Sequence, residues 1–472
     1  EEEFGFVRAF EWSKNSKYLA FLRFNESNVP MFSMDIVGSG NYPNQQIFKY
    51  PKAGEKNADV TLHMYTVSSK KTKKITLGDY EYVPRIKWSN DSHILVATTL
   101  NRHQNNLKLH KVDASRNTST LLLNETDKAY VDITDNLTFL NDNSFIWTSE
   151  KNGFNHIYHY DFSGKLINQI TRGNWEVTNY YGYDPVSSTV FYQSTENGSI
   201  NRGVYSVHVK GTNKKELSVK EGTNSASFSA DFSYFINTFQ SATTPSVYSL
   251  NDAKTGAVVK EIKNNNAVTT KVAGYKMSEK EFSTISVNGN DLNMYTIKPL
   301  DFDASKQYPL FMYQYSGPGS QNVANTWNAS NDYWHQMLVQ QGYIVVSIDG
   351  RGTGLKGRDF KKVTQLELGK YEVQDQITAA KQLGALPYID ASRIGIWGWS
   401  YGGFMSSNCL FQGADTFAMA IAVAPVSSWR FYDTIYTERY MATPQENASG
   451  YDANSPISHV AKMKGAFLLV HG

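Results

Sequence analysis

A serine set between glycines, Gly398-Trp-Ser400-Tyr-Gly402, constrains what this chain can fold into more than any other stretch. The pattern G-x-S-x-G is that of a nucleophile elbow, where a serine rides a sharp strand-to-helix turn and its Oγ stands clear of a sheet edge. Such a turn strains the backbone at the serine and leaves no room for a Cβ at the flanking positions, hence the glycines. Five letters can recur by chance in 472 residues, so the flanks decide. Ile394, Ile396 and Trp397 read as a short buried parallel strand entering the turn. Gly403 to Leu410 reads as the helix leaving it. Upstream, Tyr371 to Leu386 places Val373, Ile377, Ala380 and Leu383 on one helical face. Helix, strand, elbow, helix predicts a doubly wound, mostly parallel sheet with Ser400 as its exposed nucleophile.

More of that sheet is visible before the elbow. Phe282 to Ile297 predicts a hairpin turning at Asn288-Gly289-Asn290. Tyr308 to Tyr315 and Tyr343 to Ile348 predict two buried parallel strands, each running into a Gly-rich loop. Those loops are Ser316-Gly-Pro-Gly319 and Asp349-Gly-Arg-Gly-Thr-Gly354. The second lacks the G-x-G-x-x-G spacing and a fitting acidic residue downstream, so it is not a dinucleotide site, and no cofactor is expected.

The chain is too long for one core. From Glu1 to about Asn265 it repeats a unit of aromatic residue, polar turn and β-run. Phe10-Glu-Trp12-Ser-Lys-Asn-Ser returns in outline as Ile86-Lys-Trp88-Ser-Asn-Asp-Ser. Weaker copies begin at Phe139, Tyr183 and Phe228. The later copies recur at about 45 residues, the size of a four-stranded propeller blade. The 30 Tyr, 25 Phe and 9 Trp suit such a β-rich region. Composition shifts at Asn264-Asn-Asn266, which divides the chain into a propeller part (1–265) and a hydrolase part (266–472). An insertion at about 29–61, containing Tyr50-Pro-Lys-Ala-Gly54, is too long for a blade turn. Its Met31, Phe32, Met34, Ile36, Ile47 and Phe48 predict an arm that packs on something.

Several function classes drop out. With 46 basic and 44 acidic residues, nothing points to a nucleic-acid or polyanion partner. Cys409 is the single cysteine and follows the elbow on an apolar helix face, as a small core residue would. No run of 18 apolar residues is present, so no membrane span is expected. His156 and His159 lie at strand spacing without carboxylate or cysteine companions, so no metal site is expected. Neither end has the look of a natural terminus: there is no start Met, and the chain stops within an apolar run, Leu468-Leu-Val-His-Gly472.

With Gly-Trp-Ser400-Tyr-Gly-Gly, Tyr315-Ser-Gly-Pro, Asp349-Gly-Arg-Gly and Trp429-Arg-Phe-Tyr-Asp-Thr-Ile-Tyr-Thr-Glu-Arg-Tyr440 in view, the chain resembles the prolyl oligopeptidase family of serine peptidases, nearest to its dipeptidyl peptidase IV subfamily. The likeness implies a β-propeller, here partial, capping an α/β-hydrolase, with the active site in the cavity between them. It implies release of dipeptides from free N-termini carrying Pro or Ala at the penultimate position. Ser400 then corresponds to the nucleophile. Tyr315 and the backbone N–H of Tyr401 correspond to the oxyanion hole. Tyr401, Val426, Trp429, Tyr432 and Tyr436 correspond to the pocket for the proline ring, and Glu2 and Glu3 to the acidic pair that receives the substrate amine. Tyr50-Pro-Lys-Ala-Gly54 corresponds to a dimerisation arm, implying a homodimer through the arm and hydrolase domain. An extracytoplasmic location is also implied.

The family's catalytic Asp and His follow a His-Gly pair, and this sequence stops at such a pair, His471-Gly472. His471 is therefore not the base, and His335 and His459 do not fit the family order of Ser, Asp, His. The chain as given is expected to hydrolyse nothing at an appreciable rate. The family arginine that holds the substrate carbonyl lies upstream of the acidic pair. Two rival activities belong to the same family, tripeptide release and removal of acylated residues. A third alternative is a non-catalytic binding protein of the same fold, against which the intact Ser400 argues.

Overall fold

The computed structural model describes residues 2–6, 8–218, 221–327 and 330–472, with the backbone alone at Glu2 and Ser330. Among the described residues the first half holds five four-stranded antiparallel sheets and a separate two-stranded hairpin. Each copy of the repeated unit is the turn joining the first two strands of one sheet. Phe10–Trp12 pairs with Tyr18–Asn25, Tyr82–Trp88 with Ile94–Leu100, and Thr138–Phe139 with Phe145–Ser149. Val177–Asp184 pairs with Thr189–Ser194, and Thr223–Phe228 with Tyr234–Ser241. An acidic side chain folds back onto the backbone in four of these turns. Asp91 accepts from the His93 N–H at 2.9 Å, Asp142 from Ser144 at 2.9 Å, Asp184 from Val186 at 2.9 Å and Asp231 from Ser233 at 3.2 Å. A turn that caps itself in this way keeps its polar signature while the packed aromatics drift. The units are propeller blades.

The insertion differs from expectation in its bounds. Its last residues belong to a blade, because the strand Asp59–Thr66 pairs along its whole length with Tyr18–Asn25. Its tip is a hairpin, Met31–Ile36 against Asn44–Lys49, whose apolar residues are not packed within the chain. Met31, Met34, Ile36 and Ile47 are exposed, and only Phe32, Phe48 and Tyr50 lean on one another. The arm's base does pack. Pro51 O accepts the Thr434 N–H at 3.0 Å, and the Ala53 N–H donates to Tyr432 O at 2.9 Å, so 50–54 lies along the loop that carries Tyr432.

The last blade strand, Val258–Lys263, gives way to a short helix, Asn266–Ala273, and then to a seven-stranded sheet. Its spatial order is Glu281–Val287, Asn290–Ile297, Ile344–Asp349, Tyr308–Tyr313, Ile389–Trp399, Met419–Val423 and Ala466–Val470. The predicted hairpin supplies the first two strands, antiparallel. Strands from Ile344–Asp349 onward run parallel. Their central members carry buried apolar runs, such as 310–312, 344–346 and 394–397, as strands covered on both faces do. The helix Tyr371–Gly384 packs on one side with Val373, Ala380 and Leu383 buried, and Cys409 is a core residue of the elbow helix.

Ion pairs lock the two halves together. Glu438 is fully buried and takes both Arg102 nitrogens, at 2.6 and 2.7 Å, together with the Gly54 N–H at 2.7 Å. Lys361 pairs with Asp132 at 2.6 Å and with Glu150. Lys362 reaches Asp127 at 3.2 Å and Glu150 at 3.0 Å. Removing one member of such a buried set would strand the others without partners, which is costly.

Candidate active site

The strand Ile389–Trp399 ends at Ser400, and the helix Tyr401–Gln412 starts at the next residue. Ser400 has φ 59° and ψ −114°, a strained combination for a residue with a side chain. Its neighbours show why they are glycine. A Cβ on Gly398 would lie 2.4 Å from Gln314 O, one on Gly402 would lie 2.6 Å from the same oxygen, and one on Gly403 would lie 2.8 Å from Val423 O. The turn is held by the Ser400 N–H donating to Val423 O at 2.9 Å and by the buried Gln314 amide donating to Gly402 O at 2.8 Å.

Tyr315 follows the strand Tyr308–Tyr313 and stands over the elbow: a Cβ on Gly402 would lie 3.3 Å from its Cα, and its ring is 6.0 Å from that of Tyr401. Burial raises its pKa, the nearby Ser400 side chain opposes the rise, and the Glu3 carboxylate adds to it. The phenol is therefore a neutral donor at neutral pH. The N–H of Tyr401 is the first of a helix, and the first turn's N–H groups have no partner inside the helix. Tyr315 O–H and Tyr401 N–H thus both border Ser400, the arrangement an oxyanion hole requires.

The two Gly-rich loops brace this edge against each other. The Gly319 N–H donates to Gly352 O and the Gly354 N–H to Ser320 O, each at 2.9 Å. Asp349 accepts the Asn322 and Val323 N–H groups.

Beside Ser400 lies a cluster of aromatic rings. Tyr401 sits 6.0 Å from Tyr315 and 5.4 Å from Trp429, and Trp429 stacks on Tyr436 at 5.6 Å. Tyr432 meets Tyr436 edge-on at 5.2 Å. The cluster has a back and a front. Trp429 and Tyr401 are each 1 % exposed and form the floor, whereas Tyr315, Val426, Tyr432 and Tyr436 are half-buried and remain partly accessible. The helix Thr434–Met441 carries Tyr436. It starts with Asp433 accepting the Tyr436 N–H at 2.9 Å, and the propeller grips it through Glu438.

Glu3 is exposed in the short turn of helix Glu2–Phe4, whose Phe4 is buried against Tyr82. Its carboxylate raises the pKa values of Tyr315, Tyr436 and Tyr50. Glu1 and the Glu2 side chain lie outside the described residues.

The histidines of the hydrolase half sit elsewhere. His335 is buried and accepts the Trp397 indole N–H at 3.1 Å, His459 bonds to Ala453 O, and His471 is exposed past the last strand. Sequence reasoning missed the residues beneath the site. Glu372, Asp375, Gln376 and Ala379 form a buried stripe on the helix Tyr371–Gly384, and Glu372 accepts the Tyr401 hydroxyl at 2.7 Å. The signal was available as i, i+3, i+4, i+7 spacing, but carboxylates on such a stripe look solvent-facing until the sheet is assembled.

Residues 1–246 match the family model described as the dipeptidyl peptidase IV N-terminal region, and 329–472 match the prolyl oligopeptidase family. The chain is 36 % identical to a probable dipeptidyl-aminopeptidase B of Pyrenophora tritici-repentis, matching over 100 % of its own length and 57 % of the relative's. It is also 36 % identical to a protein of the same name from Aspergillus terreus, over 98 % of this chain and 54 % of that one. It thus spans little more than half the length of these curated relatives. The crystal structure of Porphyromonas gingivalis dipeptidyl peptidase 4 superposes with a TM-score of 0.96 at 44 % identity, covering 100 % of this chain and 67 % of that one. A propeller joined to a hydrolase sheet, a strained serine under a tyrosine hydroxyl and these matches agree: the chain belongs to the prolyl oligopeptidase family of serine peptidases, on its dipeptidyl peptidase IV branch.

Proposed function

We propose that the whole protein removes dipeptides from peptides with a free N-terminus and Pro or Ala in second place. One observation carries this reading. Beside the nucleophile the rings of Tyr315, Tyr401, Trp429 and Tyr436 form one cluster, with successive centroids 6.0, 5.4 and 5.6 Å apart, and the Glu3 carboxylate raises the pKa values of Tyr315 and Tyr436. An anion fixed near a serine nucleophile suits a substrate ammonium, and aromatic walls without charge suit a flat apolar ring. Ser400 Oγ attacks the carbonyl carbon of the second residue, and the developing oxyanion takes hydrogen bonds from Tyr315 O–H and Tyr401 N–H. Collapse expels the amine of the shortened peptide, and water then releases the dipeptide from the ester. The base and its orienting carboxylate that such a serine needs are proposed to come from the rest of the protein.

Mass spectrometry of digests tests this directly. Peptides beginning H-Gly-Pro or H-Ala-Pro should lose two residues at a time, and their N-acetylated counterparts should stay intact. Tripeptide or acyl-residue products would assign the protein to one of the other activities of the family. No cleavage of any of these by the whole protein would favour a binding role.

We also propose that the exposed hairpin 31–49 is covered by a second copy of the chain. Support comes from its six exposed apolar residues, Met31, Met34, Ile36, Val37, Tyr42 and Ile47, and from its firmly docked base. Replacing Met31 and Ile47 by Asp together should convert a dimer of the whole protein to monomer in sedimentation. An unchanged dimer would place the interface elsewhere. An extracytoplasmic location is proposed from the family likeness, and fractionation of the native cells tests it.

A further inference from the structure

Tyr401 is held at both ends. Its backbone follows the nucleophile directly, and its ring runs down into the core, where the hydroxyl donates to Glu372 Oε1 at 2.7 Å. Glu372 is wholly buried, and its other oxygen accepts the Gly369 N–H at 3.1 Å. The segment before it is tied to the aromatic cluster. The Leu366 N–H donates to Tyr440 O at 2.7 Å, and Leu366 O accepts from Asn447 at 2.9 Å. Gly369 has φ 91°, and a Cβ there would lie 2.5 Å from the Phe404 ring of the elbow helix. The stretch 366–372 therefore fastens the helix carrying Tyr436 to the helix that begins at the nucleophile, and the Glu372–Tyr401 bond is the polar link at its end.

A carboxylate is an expensive group to bury for packing alone, since a leucine or glutamine would fill the space at lower desolvation cost. We propose that Glu372 is a positioning residue for this site: through the Tyr401 hydroxyl it fixes the direction of the Tyr401 N–H at the oxyanion position and the depth of the aromatic floor. This rests on the assignment of Tyr401 made above.

Burial pushes the Glu372 carboxyl up to about 7, the Tyr401 and Gly369 bonds oppose the rise, and Asp375 adds to it. The charged and titratable groups that face it are Asp375 on its own helix, Arg351 from the loop after Ile344–Asp349, and Tyr401 and Cys409 from the elbow helix. Arg351 is paired to Asp375 at 2.7 Å, while burial raises both Tyr401 and Cys409. Arg351, Tyr401 and Cys409 do not change charge near neutrality. Above pH 7 Glu372 is a carboxylate and holds the phenol by a charge-assisted bond. Below it the acid is neutral and the bond is weaker. The advantage of glutamate over a neutral isostere is therefore largest at alkaline pH and fades as pH falls through 7.

The test measures phosphonylation of Ser400 by a fluorophosphonate, which uses the oxyanion hole and does not depend on dipeptide release. In the whole protein, Glu372→Gln should slow the reaction about tenfold at pH 8.5 and no more than about threefold at pH 5.5. Tyr401→Phe should show a similar defect, and adding Glu372→Gln to it should cost less than about twofold more, because one residue acts through the other. If Glu372→Gln does not fold, Tyr401→Phe/Glu372→Leu removes both side-chain partners together, leaves only the Gly369 N–H without its acceptor, and takes its place, with the same pH-dependent ratio to wild type expected. A ratio that is flat from pH 5.5 to 8.5, or fully additive effects of the two substitutions, overturns the proposal. A wild type that phosphonylates normally but releases no dipeptides refutes the proposed function and leaves this test standing.

Discussion

Tyr315→Phe in the whole protein is expected to lower kcat by about 10²- to 10³-fold while KM stays within about twofold. The elbow is held by the Ser400 N–H on Val423 O and by Gln314 on Gly402 O, so removing the Tyr315 hydroxyl leaves it and the aromatic floor in place. Its partner in the reaction is an oxygen that carries full negative charge only in the tetrahedral state. A donor aimed at that charge stabilises the transition state and contributes little to the bound substrate. The lost bond is worth about 3 kcal/mol, which sets the range. Steady-state kinetics on H-Gly-Pro anilide with matched thermal denaturation separates the alternatives. A raised KM at unchanged kcat would make Tyr315 a binding residue. A large fall in melting temperature would make the phenol a structural one.

Glu2→Gln with Glu3→Gln should lower kcat/KM for H-Gly-Pro anilide by at least about 30-fold, the low end of what breaking a desolvated charge pair costs. Two extended residues put the α-ammonium about 7 Å from the scissile carbonyl. Carboxylates fixed there would measure off a dipeptide and leave no room for a longer N-terminal extension. The Glu3 carboxylate raises the pKa values of Tyr315 and Tyr436, the direction expected of an anion on this side of the site. The acetylated substrate should be poor for both proteins and change little between them. Activity of the wild type should fall as pH rises past about 8, where the substrate amine loses its proton and the attraction disappears. If the double variant keeps the wild-type preference for free over acetylated N-termini, the acidic run does not measure the substrate.

The elbow, the hairpin at 288–290, the strands on either side of the Gly-rich loops and the five blade turns were legible in the sequence for one reason. Each is specified by local chemistry: glycines where a Cβ would meet Gln314 O, an aspartate folding onto its own turn, an apolar run covered on both faces. What depends on residues far apart in sequence was hidden. The arm was expected to pack on something, and only assembly shows that its base docks beside Tyr432 while Met31 and Ile47 stay exposed within this chain. Trp429 and Tyr436 are equivalent as letters in an aromatic run, but packing makes one the floor of the cluster and the other its accessible wall. Glu372 and Glu438 look like surface carboxylates on helices until Tyr401, Arg102 and Gly54 converge on them. Local sequence determines which backbone turns can form. Burial and charge are set by what the rest of the chain places against each side chain, so the chemistry of these two glutamates was decided by the tertiary structure alone.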